Sequence, residues 1–214
     1  MDNLSQFLSD YPGMSTAPCS DAGVCLRGKF RFKANAPGYD AIDDSYRLEI
    51  VIPDKFPQAI PMVKEIDGKI PRNGEFHVNP DGTLCLGSPL RLLRIVHGAP
   101  NLTNFADKCL VPYLYAVSYK LMNGGDFVFG ELAHGDQGIV EDYSVMLGLK
   151  KKHQVTQAIQ LLGIKKRIAN KMPCPCGCGK RLGVCLFHHK LNEFRKMAPV
   201  SWFKAHALNA WNKI

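Results

Sequence analysis

The sequence predicts an α+β protein whose C-terminal part is a helical, metal-binding extension. Three observations carry that reading. Alternation of apolar and polar residues is confined to the first third of the chain, helical spacing takes over from Asn101, and four of the eight cysteines crowd between Cys174 and Cys185. A chain of 214 residues, 46% apolar and 21% charged, has material for a core and fits one domain plus an appendage.

Leu4, Phe7 and Leu8 stand at i, i+3 and i+4 behind Asp2 or Asn3 as cap, so a short amphipathic helix opens the chain and Tyr11-Pro12-Gly13 stops it. Val24 to Lys33 reads as a strand with Leu26, Phe30 and Phe32 on one face. A loop from Asn35 to Asp44 leads to a second strand, Ser45 to Ile52, in which Tyr46, Leu48, Ile50 and Ile52 share a face. Pro53, Pro57 and Pro61 exclude helix and central strand from the next segment, because each lacks an N–H and fixes φ. Phe56 anchors this stiff loop, and Met62 to Ile66 forms a third strand. An irregular region is expected from Ser88-Pro89 through Gly98-Ala99-Pro100.

Asn101 can cap a long helix reaching about Met122, with Leu102, Phe105, Cys109, Leu110, Tyr113, Leu114, Val117 and Leu121 on one face. Pro112 should kink or divide it, Asn123-Gly124-Gly125 ends it, and Cys109 reads as core. The glycine-rich loop 130–138 carries His134, read as a hydrogen-bonded loop histidine rather than a site residue. Helices follow near Ile139 to Leu147 and His153 to Asn170, then a last one from about Leu191, broken at Pro199. Its Trp202, Phe203, Leu208 and Trp211 read as packing.

The N-terminus lacks the basic start and apolar run of a signal peptide, and no stretch is long and apolar enough to span a bilayer. The expectation is a cytoplasmic protein in which crowded cysteines serve metal ligation or catalysis rather than crosslinks. Charge is uneven. From Lys150 onward fourteen Lys and Arg stand against a single acid, Glu193, whereas the rest of the chain has thirteen basic and eighteen acidic residues. A basic tail of this kind suits nucleic acid, an acidic protein face, or plain solvation.

The stretch Phe76-His77-Val78-Asn79-Pro80-Asp81-Gly82-Thr83-Leu84-Cys85-Leu86-Gly87 is the centre of the first part. Pro80-Asp81-Gly82 supplies a turn, and Thr83 to Leu86 a short extended segment presenting Cys85. A thiol held there beside an amide and an imidazole suits covalent acyl-thioester chemistry, and the alternative is a structural cysteine.

Near the C-terminus, Cys174-x-Cys176, eight residues, Cys185 and then His188-His189 offer three thiolates and an imidazole, a closed tetrahedral set for a structural Zn²⁺. The segment 172–189 resembles the SEC-C zinc motif, found at the C-terminus of the SecA translocase and appended to many bacterial proteins. Cys174, Cys176 and Cys185 match that motif. Cys178 stands where serine is usual, and the histidines lie three and four positions after Cys185 rather than one. His188 is the expected fourth ligand, with His189 and Cys178 as alternatives.

From Leu4 to about Met122 the chain resembles the ubiquitin-conjugating (UBC) fold, an antiparallel meander sheet with flanking helices. Ile52-Pro53 and Phe56-Pro57 to Pro61 match that family's proline-rich segment. His77-Val78-Asn79 and Gly82-Thr83-Leu84-Cys85-Leu86 match its His-Pro-Asn and Gly-x-Ile-Cys-Leu, two residues closer together than is typical. The resemblance implies a catalytic domain over 1–149 and a basic helical extension over 150–214. It also implies Cys85 as the acyl-carrying nucleophile, Asn79 as oxyanion donor and His77 as a loop brace. Combined with the zinc motif, the chain looks most like stand-alone bacterial relatives from antiphage cyclic-oligonucleotide operons. These act on the C-terminal glycine of a cGAS-like nucleotidyltransferase. No glycine-rich nucleotide loop is present, so activation of the acyl group would come from another protein. Two further readings are a catalytically silent UBC-fold binding module and a nucleic-acid binder using the basic tail.

Overall fold

The alternating apolar residues of the two expected long strands form the centre of one antiparallel sheet. The computed structural model describes residues 3–18, 23–129 and 135–211, and His134 lies outside them. Four strands, β1 (Met14–Ala17), β2 (Val24–Ala34), β3 (Ile42–Ile52) and β4 (Met62–Glu65), pair in sequence order as a meander. The register sets Leu26 opposite Ile50, Phe30 opposite Tyr46 and Ile50 opposite Val63, so the apolar residues of three strands share one face. With a period of two, any slip by one residue would turn that face to water.

Helix α1 (Asn3–Asp10) buries Phe7 as its spacing requires. Two differences from expectation concern the sheet. β3 begins at Ile42 rather than Ser45, and β1, a four-residue edge strand with no alternation to reveal it, pairs Met14 with Gly28 and Ala17 with Cys25. A third difference is α2 (Pro89–Gly98), where an irregular region was expected. Pro89 sits in the first turn, where a missing N–H costs nothing, and Leu90, Leu93 and Val96 supply the buried face.

Asn101 caps α3 (Leu102–Phe105), its Oδ1 accepting from the Asn104 N–H at 2.7 Å. The helix then widens into a π turn over Ala106–Leu110 and continues as α4 (Val111–Asn123). The wide turn ends two residues before Pro112, whose ring in a regular helix would clash with the carbonyl four residues earlier. Cys109 is buried there, and burial pushes its thiol up to about 12.

α4 packs on β2 and β3. A polar chain joins α4 to β3: the Ser118 hydroxyl donates to Asp44 Oδ2 at 2.8 Å and so accepts from the Tyr46 hydroxyl at 2.6 Å. The first compact unit of the chain is Met1–Glu131 and the second is Leu132–Ile214, so the division falls before the expected 149/150 boundary. α5 (Asp136–Leu147), assigned by sequence to the first domain, belongs to the second unit.

That second unit adds α6 (Lys152–Leu162), α7 (Lys166–Ala169), α8 (Phe187–Met197) and α9 (Val200–Trp211). The expected helix from His153 to Asn170 is interrupted at Gly163, which closes α6. Val155, Ile159, Leu162, Leu191 and Phe203 are fully buried, forming the unit's own core. Trp202 stacks on His206, and side chains from Leu208 onward lie outside the described residues. Among the described residues no helix is long and apolar enough to cross a membrane.

Candidate functional sites: an exposed thiol and a four-thiol knuckle

Cys85 is exposed at the end of a small hairpin-like loop in the first unit. β4 carries this loop: the Leu84 N–H donates to the Val63 carbonyl at 2.8 Å, and Val78 bridges Leu84 in antiparallel sense. The turn forms where Pro80-Asp81-Gly82 demands it. Gly82 takes φ +82°, a value an L side chain resists, and its N–H donates to the Asn79 carbonyl at 2.8 Å. Asp81 Oδ1 accepts from both the N–H and the hydroxyl of Thr83, at 3.0 and 2.6 Å, and the Thr83 hydroxyl holds this carboxyl below its usual range.

The three expected site residues lie in this one loop. The Cys85 N–H donates to the His77 carbonyl at 2.8 Å, which fixes the thiol beside the histidine. The Asn79 side-chain amide donates to Thr83 Oγ1 at 3.0 Å, so in this arrangement it serves the turn. To reach an oxyanion on Cys85 it must leave that partner.

Among the described residues His77 is the one non-glycine in the left-handed region, with φ 52° and ψ 43°. Such a conformation costs about 1–3 kcal/mol and persists only where surroundings enforce it. Three groups absent from the predicted site do so. The Tyr113 hydroxyl donates to the Phe76 carbonyl at 2.7 Å, and Lys120 Nζ donates to the Glu75 carbonyl at 3.0 Å. The Phe127 ring meets the His77 imidazole edge-on at 4.8 Å. Burial, and then the negative charge of a Cys85 thiolate, push the Tyr113 hydroxyl up. Tyr113 was legible only as one residue of an apolar helix face. Phe127, forty-two residues beyond Cys85, left no sequence signal.

In the second unit the thiols of Cys174, Cys176, Cys178 and Cys185 all lie within 4.8 Å of one another. Cys174 Sγ is 3.2 Å from Cys176 Sγ, and Cys176 Sγ is 3.6 Å from Cys185 Sγ. A tetrahedron with metal–sulfur bonds near 2.3 Å would set its sulfurs about 3.8 Å apart, a spacing that falls within the range this cluster spans.

Local backbone explains the gathering. Gly177, at φ +80°, lets its N–H return to the Cys174 carbonyl at 3.3 Å. The Cys174 N–H meets the Lys180 carbonyl at 2.9 Å, and Pro173 bridges Arg181. The backbone N–H of Lys180 pulls the Cys178 thiol down to about 7, whereas burial pushes Cys174 up.

This cluster corrects the expected fourth ligand. His188 is not in the group. Its Nδ1 lies 2.7 Å from the Cys185 carbonyl, an oxygen that can only accept, so the imidazole donates there and steadies the ligand loop. The His189 ring lies against that of His188, centroids 3.9 Å apart and planes tilted by 36°, and is likewise outside the cluster. The residue that departs from the SEC-C pattern, Cys178, completes the set. Four thiols of this geometry can hold a metal ion, with a donor set consistent with zinc.

Compared with protein-family models, with curated proteins and with solved structures, this chain matches none.

Proposed function

We propose that the first unit is a UBC-like acyl carrier and that Cys85 is its thioester-forming nucleophile. The observation that carries this reading is an exposed thiol on a braced, strained loop directly after an antiparallel meander. Accessible cysteines of this kind suit exchange reactions, and backbone strain concentrates at functional sites.

In the first step the Cys85 thiolate attacks the carbonyl carbon of an activated C-terminal glycine held as a thioester. A carbon–sulfur bond forms to Cys85, and the donor sulfur leaves as thiolate. In the second step a lysine amine attacks the same carbon, Cys85 leaves as thiolate, and the amine proton passes to water. Asn79 turns from Thr83 to the oxyanion, so Asn79→Ala lowers transfer by about a hundredfold. His77 holds the loop rather than moving protons. The donor glycine belongs to a cGAS-like nucleotidyltransferase in antiphage defence, activated by a separate enzyme. The knuckle carries zinc on Cys174, Cys176, Cys178 and Cys185 as a structural ion.

Intact mass without reductant, after co-expression with a cGAS-like nucleotidyltransferase and an activating enzyme, tests this. The expected adduct is released by thiol reagents and abolished by Cys85→Ala. An adduct that survives Cys85→Ala moves the chemistry elsewhere. Absence of any adduct, even under trapping, favours the silent binding module.

A further inference from the structure

From residue 148 to residue 192 the chain contains ten Lys and Arg and no acid. All ten (Lys150, Lys151, Lys152, Lys165, Lys166, Arg167, Lys171, Lys180, Arg181 and Lys190) are exposed. Among the described residues none of them forms an ion pair. Four ligating thiolates around a divalent ion would offset only two of these charges.

The same lobe exposes apolar side chains. Leu186 is 82% exposed and Val184 61%, one on each side of Cys185, and Met172 and Ile168 are also exposed. Backbone hydrogen bonds hold the two segments side by side: Leu182 N–H to the Met172 carbonyl at 2.8 Å, and Gly183 N–H to the Asn170 carbonyl at 3.0 Å. Arg167 adjoins Ile168, Lys171 adjoins Met172, and Lys190 lies one turn beyond Leu186. Exposed apolar groups rimmed by charge mark protein contacts.

We infer that the knuckle lobe docks an acidic protein segment whose own aliphatic side chains meet Ile168, Met172, Val184 and Leu186. The charge calls for an acidic partner. The anchors choose between acidic partners: they are aliphatic, whereas a single-stranded nucleic acid is gripped by aromatic side chains on which bases stack. Duplex binding through phosphates would leave Leu186 and Val184 without a role.

The test uses the full zinc-loaded chain and three labelled probes read by fluorescence anisotropy. These are a peptide alternating glutamate and leucine, the same peptide with serine for leucine, and an oligonucleotide of equal charge. The glutamate–leucine peptide is expected to bind at least about tenfold more tightly than either other probe. Its affinity should fall as salt rises from about 50 to about 200 mM. Leu186→Ser with Val184→Ser should remove the preference for leucine, with zinc content and helical circular dichroism unchanged. Lys165→Glu with Arg167→Glu, remote from the ligands in sequence, should weaken the peptide about tenfold while leaving zinc bound. Equal binding of the leucine and serine peptides, tighter binding of the oligonucleotide, or no peptide binding each overturns the proposal.

Discussion

Cysteine is used in opposite ways in the two units. In the first, Cys85 is exposed on a loop whose side-chain braces are other groups, among them an Asp81–Thr83 turn, the Tyr113 hydroxyl, Lys120 and the Phe127 ring. Remove the Cys85 sulfur and every one of those contacts stays. In the second, beside a helical core of its own, four sulfurs organise the knuckle segment. The segment between Met172 and Cys185 has few apolar residues to bury, Leu182 being the fully buried one, and its turns converge on the thiols. Environment sorts the sulfurs further. The same side chain is pushed up to about 12 by burial at Cys109 and drawn down to about 7 by a backbone N–H at Cys178.

With zinc on the four knuckle thiols, as proposed above, the largest expected effect comes from removing it. Structural zinc contributes about 10–16 kcal/mol in small zinc-binding peptides, so a strong chelator, or Cys174→Ser, should abolish the cooperative unfolding of the second unit. Differential scanning calorimetry should then show one transition, that of the sheet unit, little changed. If both transitions move together, the contrast drawn between the units is wrong.

Next in size is the sheet core. Leu48 is fully buried, and Leu48→Ala should cost about 3 kcal/mol in urea unfolding of the first unit, with zinc content unaffected. Tyr113→Phe is smaller, about 1 kcal/mol, since it deletes one hydrogen bond, to the Phe76 carbonyl. Its sharper readout is the rate of Cys85 alkylation, which should change as the His77 loop loosens, whereas Cys85→Ser should leave stability within experimental error.

The smallest effect is on pH dependence. Partial burial pushes the Asp44 carboxyl up, but hydrogen bonds from Lys69, Ser118 and the Ser45 N–H outweigh it and hold the group below its usual range. A depressed carboxylate contributes stability that is present above its unfolded value, about 3.9, and lost as pH falls through the folded value. The first unit should therefore weaken in acid below about pH 4, and Asp44→Asn should flatten that slope.

The long central strands were legible because Leu26, Phe30 and Phe32, and Tyr46 to Ile52, alternate over enough residues to be read without tertiary context. β1 was not, since Met-Ser-Thr-Ala carries no pattern and exists by pairing with β2. α2 was hidden by Ser88-Pro89, which reads as a loop although proline also opens helices. In the site, Cys85, His77 and Asn79 are close in sequence and so were found together. Tyr113, Lys120 and Phe127 arrive only through the fold. The fourth thiol, Cys178, is hidden from motif spacing, which favours His188, because only the fold shows that its sulfur lies with the other three and that the His188 ring does not.

The division of labour among the cysteines can be tested on the zinc-loaded protein alone, by timed maleimide labelling with peptide mapping. Cys85 should label rapidly, Cys174, Cys176, Cys178 and Cys185 only after chelation, and the buried Cys25 and Cys109 only on unfolding. Knuckle thiols that label as fast as Cys85 with metal bound, or a Cys85 that stays protected until the protein unfolds, would contradict it.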